Sequence, residues 1–332
     1  MPIARKQDFQ LQDFTTEINL IPRQWGLIGS MNMFEPVFNQ TDNISIDVIQ
    51  ERTDTFGDTR RGSDRNLLRS EQAEEVPLKI PFFTLDKMIT PRDLQNLRQY
   101  GTAQDAMSVN DARMRIMDRI VRYHTALKEK IMANAIQGLG FAPNSTTTQY
   151  NYYTVFSRTQ QTIDFAFTTA TTDVANLVQD IYAQIIDNSQ NEDGEFEITV
   201  LCSPEWFTSF VSHSSVKGQY QDYVSNTGSR MNPNRDRPGM TSIYREFEFQ
   251  NVRFIEHRGQ FGSTRLIPQN QAYAFPNGIP NMFELHFAPA DHMDYVNTVA
   301  QDMYLFEMPT DRKVDIQSES SMLGSEEAVT LH

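Results

Sequence analysis

Apolar positions recur along this chain with two different periods. Between Ser108 and Gly138 (SVNDARMRIMDRIVRYHTALKEKIMANAIQG) they fall at Met117, Ile120, Leu127 and Ile131, with His124 in the same row. Met114, Ile116, Val121 and Tyr123 broaden the stripe, and Arg113, Arg115, Arg119, Arg122, Lys128 and Lys130 take the other side. That spacing predicts one buried helix face with a 3.6-residue period. Ser108 with Asp111 makes a capping-box-like start, and Gly138, with Gly140 and Pro143 beyond it, makes the stop. At 1.5 Å per residue the rod would be roughly 43 Å long. It can be an ordinary core-lining helix or the spine of an elongated subunit.

Elsewhere the period is two. In NISIDVIQER, Ile44, Ile46 and Val48 alternate with polar residues; in EEVPLKIPFF, Val76, Leu78, Ile80 and Phe82 do the same, with Pro77 and Pro81 opposite. The pair predicts two strands of a hairpin, with the prolines suiting an edge. The insert between them, RTDTFGDTRRGSDRNLLRSEQ, is charged and apolar-poor, which predicts a long tip. A two-stranded hairpin alone is marginal in water, so this one is expected to lie on a neighbour. Bending is expected at its roots, Thr41–Asn43 and Lys87–Thr90. Residues 1–42 show no period, and FEPVFNQ predicts an extended arm packed on something else.

The remaining segments mix both types. Thr90 caps PRDLQNLRQYG, NYYTVF predicts a strand, and DVANLVQDIYAQIID a helix with Val174, Leu177, Ile181 and Ile185 on one face. FEITVLCS predicts a strand, and SPEWFTSFV a helix capped by Ser203. After the polar loop NTGSRMNPNRDRPG come strands at YREFEF, VRFIEHRG, AYAFPNG and FELHF. MYLFEMPTDRKVDIQSESSMLG predicts two more around a turn. The class is α+β.

Composition narrows the function. The 332 residues carry a formal charge of −14, against a dedicated nucleic-acid binder, which needs a basic patch. The single cysteine, Cys202, forbids an intrachain disulfide. No apolar run is long enough for a membrane span, and MPIARKQDFQLQDFTTE lacks the apolar core of a signal peptide. Manufacture in a cytoplasm is therefore expected.

Candidate chemistry is sparse. There is no G-x-S-x-G, Walker or dinucleotide glycine pattern. Cys202 stands between a strand and a helix cap, where a thiolate could be stabilised, but a small buried thiol is the favoured reading there. His286, Asp291, His292 and Asp294 form the most metal-like cluster, but match no tight template such as H-E-x-x-H. A metal-dependent hydrolase using His286, Asp291 and His292 is thus the reading from another class. Glu192, Asp193 and Gly194 are only a fragment of a calcium loop. Arg60, Arg61, Arg65 and Arg69 are interleaved with Asp58, Asp64 and Glu71, a mixture suited to protein contacts rather than phosphate, or equally to a solvated loop. Together with Ile46, Val48, Leu78 and Ile80 they are the expected subunit-interface residues.

Four segments carry a family likeness. FEFQNVRFIEHRG (Phe247 to Gly259) resembles the strand–turn–strand signature of the major capsid protein E family of tailed bacteriophages, the family of the lambda shell protein. FAPADHMDYVNT, after the turn FPNG, resembles that family's following motif. TVLCSPEWFTSFVSH resembles its strand and short helix, and DIQSESSMLG its C-terminal strand. His257 stands where the family suggests a tyrosine.

The resemblance implies a Hong Kong 97-like fold, in five parts. These are an N-terminal arm (1–42), an extended β-hairpin loop (43–84), a peripheral domain (85–159) with its spine helix at 104–138, an axial α/β domain (160–290), and a return to the peripheral sheet (291–332). It implies a major capsid protein that self-assembles as hexamers and pentamers into an icosahedral shell around double-stranded DNA, without sequence-specific binding. No enzyme activity, catalytic residue, cofactor, metal or membrane belongs to that reading. Separate scaffolding and portal proteins, and a decoration protein, are the further partners it suggests. The virion is the expected location, with assembly in the host bacterial cytoplasm. An encapsulin-like nanocompartment shares the fold and is the nearest alternative.

Overall fold

The computed structural model describes residues 26–50, 72–94, 109–141, 148–188, 196–218, 244–279 and 282–326. Along the chain the elements are α1 (Leu27–Met31), β1 (Glu35–Phe38), β2 (Asn43–Gln50), β3 (Gln72–Lys79), β4 (Phe82–Thr84), β5 (Lys87–Ile89), α2 (Pro91–Leu94) and α3 (Val109–Ile136). Then come β6 (Leu139–Phe141), β7 (Thr148–Asn151), α4 (Tyr152–Val155), α5 (Val174–Asn188), β8 (Glu197–Cys202) and α6 (Pro204–Ser212). The last stretch holds β9 (Glu246–Phe249), β10 (Val252–Glu256), β11 (Gln260–Phe261), β12 (Thr264–Arg265), β13 (Ala272–Asn277), β14 (Phe283–Ala288), β15 (Tyr304–Thr310) and β16 (Lys313–Glu326).

The 14-residue β16 is the hub of a six-stranded sheet. Ser321 pairs with both Ala288 and Phe82, and Glu319 with both Tyr304 and Thr84, so β16 has neighbours on both edges. Its even-numbered residues face α3, where Ile316 meets Ile120 and Ile89 in one cluster. Helix and strand come close enough that a Cβ on Gly324 would stand 2.9 Å from the Ala135 Cβ. Glycine is what lets the two backbones approach there.

A second, four-stranded sheet runs β13-β8-β10-β9, with β8 and β10 parallel. Both its faces are buried. Ile198, Val200, Val252 and Phe254 point to α5 and α6, around the Trp206, Phe207 and Phe210 rings. Leu201, Ile255, Tyr273 and Phe275 point the other way, into the cluster built by α3 and β14. Ser203 caps α6 by accepting the Trp206 N–H, and Pro204 fills the first turn.

The sequence expectations need several corrections. Helix α3 ends as predicted, at Gly138 with φ 71°, but residues 104–108 lie outside the described residues. Met114, Val121 and Tyr123 do not broaden the buried stripe; they are exposed. NYYTVF is a strand only to Asn151. That side chain accepts the Tyr153 and Thr154 N–H groups and starts α4. FEPVFNQ is extended and packed, as expected, but on its own chain: Glu35–Phe38 is strand β1, parallel to β14. The hairpin's return strand stops at Lys79, because Phe82–Thr84 crosses to β16. Lys87–Ile89 also pairs with β16, so no hinge lies there. Pro81 is buried. Strand β14 belongs to the six-stranded sheet, so the α/β layer ends before residue 283 rather than at 290.

Candidate assembly elements

Strands β2 and β3 form a two-stranded sheet that pairs with no other strand among the described residues. Ile44 opposes Leu78, and Ile46 opposes Val76. At the root, Ile44, Leu78 and Ile80 are buried against Tyr152, Ala288 and Leu323, with Ile46 and Val76 half-covered. Polar contacts fix the same place. The Ile80 N–H donates to the Asp42 carbonyl at 2.9 Å, and the Lys79 N–H to the Tyr150 hydroxyl at 2.9 Å. The Tyr152 hydroxyl donates to the Gly324 carbonyl at 2.6 Å. The root is therefore clamped to β16 and cannot swing as a free joint.

These contacts sort the expected interface residues. Leu78 and Ile80 are each 2 % exposed, so they belong to their own subunit's core, not to a free interface. Strand β3 alternates as the sequence predicts, but the face it buries meets its own chain. Ile46 keeps a half-exposed side chain. Val48 lies on β2 with only its backbone described, and Arg60, Arg61, Arg65 and Arg69 lie outside the described residues.

Helix α3 is tied on three sides. His124, buried, shares a 2.9 Å hydrogen bond between Nε2 and the Ser318 hydroxyl, and burial lowers its pKa despite the nearby Asp302. Arg113 pairs with Glu307, and Lys128 with Asp302 at 3.1 Å. Gln137 donates to Ala133 and Leu266 carbonyls, joining the helix end to the turn after β12.

Glu129 was not foreseen as a structural residue. It is 3 % exposed, and its carboxylate accepts the Ile28 N–H at 2.7 Å and the Gly29 N–H at 3.0 Å. It thereby satisfies donors that α1 cannot satisfy itself. Its charge sits 3.9 Å from the buried His257 Nε2. His257 Nδ1 accepts the Gly259 N–H, which assigns the proton to Nε2, on the side of Glu129. One residue earlier, the fully buried Glu256 is held by Arg245 and Arg258. Nothing in a single sequence tells such buried carboxylates from solvated ones.

The candidate chemical residues are dispersed. Cys202 is fully buried, and desolvation, aided by the Glu256 charge, pushes its thiol pKa well up. His286 faces Ser325 at 3.0 Å and Glu284 at 3.2 Å, and burial pushes its pKa down to about 4. His292 instead stacks on Phe306 and accepts the Asp294 N–H. Among the described residues no group of three or more His, Cys, Asp or Glu side chains is arranged to hold a metal. His286, Asp291 and His292 are thus not assembled into a hydrolase centre. Glu192 to Gly194 lie outside the described residues.

The family model described as phage major capsid protein E matches residues 10–324. The chain belongs to that family. The major capsid protein of Pseudomonas phage KPP10 is 30 % identical over 337 residues, covering 97 % of this chain and 95 % of that one. The major capsid protein of Salmonella phage Felix O1 is 23 % identical over 355 residues, covering 96 % and 94 %. In fold, the Cyanophage Pam1 capsid aligns at TM-score 0.52 with 10 % identity, over 98 % of this chain and 94 % of that one. The architecture is therefore the Hong Kong 97-like capsid fold, and the chain is a phage head-shell protein. Its family is structural rather than catalytic.

Proposed function

We propose that the chain works as hexamers and pentamers of an icosahedral shell, and that its β2–β3 hairpin is the part that reaches siblings. One observation carries this reading. Beyond its clamped root the hairpin pairs with no other strand among the described residues, and two strands alone are marginal in water. A second copy would supply the missing cover. Helix α3 with the six-stranded sheet then forms the peripheral domain, and the β8–β10 layer with α5 and α6 the axial domain. The half-exposed Ile46 and the arginines at 60, 61, 65 and 69 make the sibling contacts.

Several modest contacts per copy multiply into a stable shell, while each alone stays weak enough to let misplaced copies leave. The charge of −14 fits enclosed double-stranded DNA that is confined rather than gripped. Scaffolding, portal and decoration proteins, and assembly in the host cytoplasm, complete the reading. The test is to replace residues 51–71 with a short Asn-Gly turn. Folded subunits or capsomers without closed shells are expected by electron microscopy; normal shells would overturn the hairpin's role.

A further inference from the structure

Glu129 faces two sets of donors and serves one of them. Its carboxylate accepts the Ile28 and Gly29 N–H groups in the first turn of α1. Helix α1 depends on that acceptor, because its N-cap is Gly26, which has no side chain to offer. Ser30 and Asn32 bond within the helix and its caps. Among the described residues, the two bonds to Glu129 are therefore the polar ties of α1 to the rest of the subunit. Across the same carboxylate stands His257, with Nε2 3.9 Å from Oε1, the oxygen that holds Ile28. Nδ1 of that ring accepts the Gly259 N–H, so Nε2 carries the proton. The residue is 2 % exposed, and its Nε2 has no hydrogen-bond partner among the described residues.

The docked arrangement thus leaves a buried donor unserved, which is unfavourable. A movement of about 1 Å would bring Oε1 to ordinary hydrogen-bond distance from Nε2. The same movement would draw the acceptor away from α1. What then remains is the packing of Leu27 and Ile28, the buried side chains of that helix. A release would have a natural end. Asn32, at φ 51°, closes α1, and Phe34 beyond it packs on Phe283 with ring centroids 5.2 Å apart.

We propose that Glu129 is a two-position latch. Turned to Ile28 and Gly29 it docks α1 on α3; turned to His257 it lets residues 26–32 lift away while the rest of the subunit stays folded. His257 is a positioning residue, acting through Glu129 and touching nothing in α1 itself. The latch rests on these contacts within one subunit and not on the shell reading.

The test is amide exchange in dissociated subunits of the full-length chain, read by mass spectrometry over residues 26–32 with α3 and β16 as references. In the parent, 26–32 should exchange about ten-fold or more faster than the references, through an opening that leaves them protected. E129A, which removes the acceptor, should speed exchange of 26–32 several-fold further. H257N keeps an acceptor for the Gly259 N–H but lacks the Nε2 donor, and should slow exchange of 26–32 several-fold. H257Q, whose amide can still donate toward Glu129, should not. A His257 that merely supports the core would give the opposite sign, faster exchange in H257N. Equal or faster exchange in H257N with the references unchanged would overturn the proposal. So would a parent in which 26–32 opens only together with α3 and β16, a result that needs no variant to fold.

Discussion

Leu78 distinguishes a residue that builds the subunit from one that joins subunits. It lies on the hairpin, where sequence alone makes it an interface residue, yet it is 2 % exposed between Ile44, Tyr152 and Leu323. Truncating it to alanine removes buried methyl groups and leaves a cavity, at a cost of about 2–5 kcal/mol. A domain has only about 5–15 kcal/mol in hand, so L78A should lose a large share of it. L78D is expected to give no folded subunit, since an unpaired carboxylate would sit in a dry pocket. Ile46 is half-covered, and I46A should cost only about 1 kcal/mol while weakening shell formation. The assay is urea unfolding of dissociated subunits followed by circular dichroism, beside electron microscopy of assembly reactions. If L78A unfolded at the same urea concentration as the parent but formed no shells, Leu78 would be an intersubunit residue and the root assignment would be wrong.

Three further outcomes can be checked. G324V should destabilise the subunit, since its Cβ would stand 2.9 Å from that of Ala135, by about 1–3 kcal/mol as in other overpacked cores; an unchanged melting temperature would contradict the close approach of β16 and α3. His286 has its pKa pushed from 6.5 to about 4, so between those values the unfolded chain binds the extra proton. Its contribution is full above pH 6.5 and is lost as pH falls toward 4, on the order of 3 kcal/mol in all; thermal melts from pH 7 to 4 should show a slope that H286Q reduces, and an identical slope would refute it. Cys202 should react with a thiol reagent only as fast as the subunit unfolds, being fully buried with its pKa raised; labelling of the folded protein within minutes would place the sulfur at the surface.

How much of this was legible depended on how local each signal was. Helices α5 and α6 and strand β8 could be read because their periods and caps lie within a few residues: Val174, Ile181 and Ile185 on one face, and Ser203 before Pro204. Helix α4 was hidden, since four residues are too few to show a period and Tyr152 and Tyr153 suit strands equally well. Strand β1 was hidden for the opposite reason. Its partner lies far along the chain, at Glu284–Phe287, and no local pattern announces that pairing. Alternation in β3 establishes that one face is buried but not what buries it, so the pattern of Leu78 and Ile80 suits a neighbour as well as their own chain. Glu129 was illegible because its partners, Ile28 and Gly29, are about a hundred positions away.

The clamped root also constrains where the subunit can bend. In a shell built from hexamers and pentamers, one chain must meet siblings at more than one angle. Lys87–Ile89 is paired to β16 and cannot supply that freedom, and Ile80 and Pro81 are held by the Asp42 carbonyl and the Met322 N–H. Helix α3 is fixed to the same strand through Ser318 and Gly324. Strand β16 thus ties the hairpin root, helix α3 and the six-stranded sheet to one another. Past the Ile46–Val76 pair, β2 and β3 pair only with each other among the described residues, so under the proposed function compliance is expected in that outer part. Stiffening that outer part, rather than the root, is the change that should restrict the range of shell curvatures.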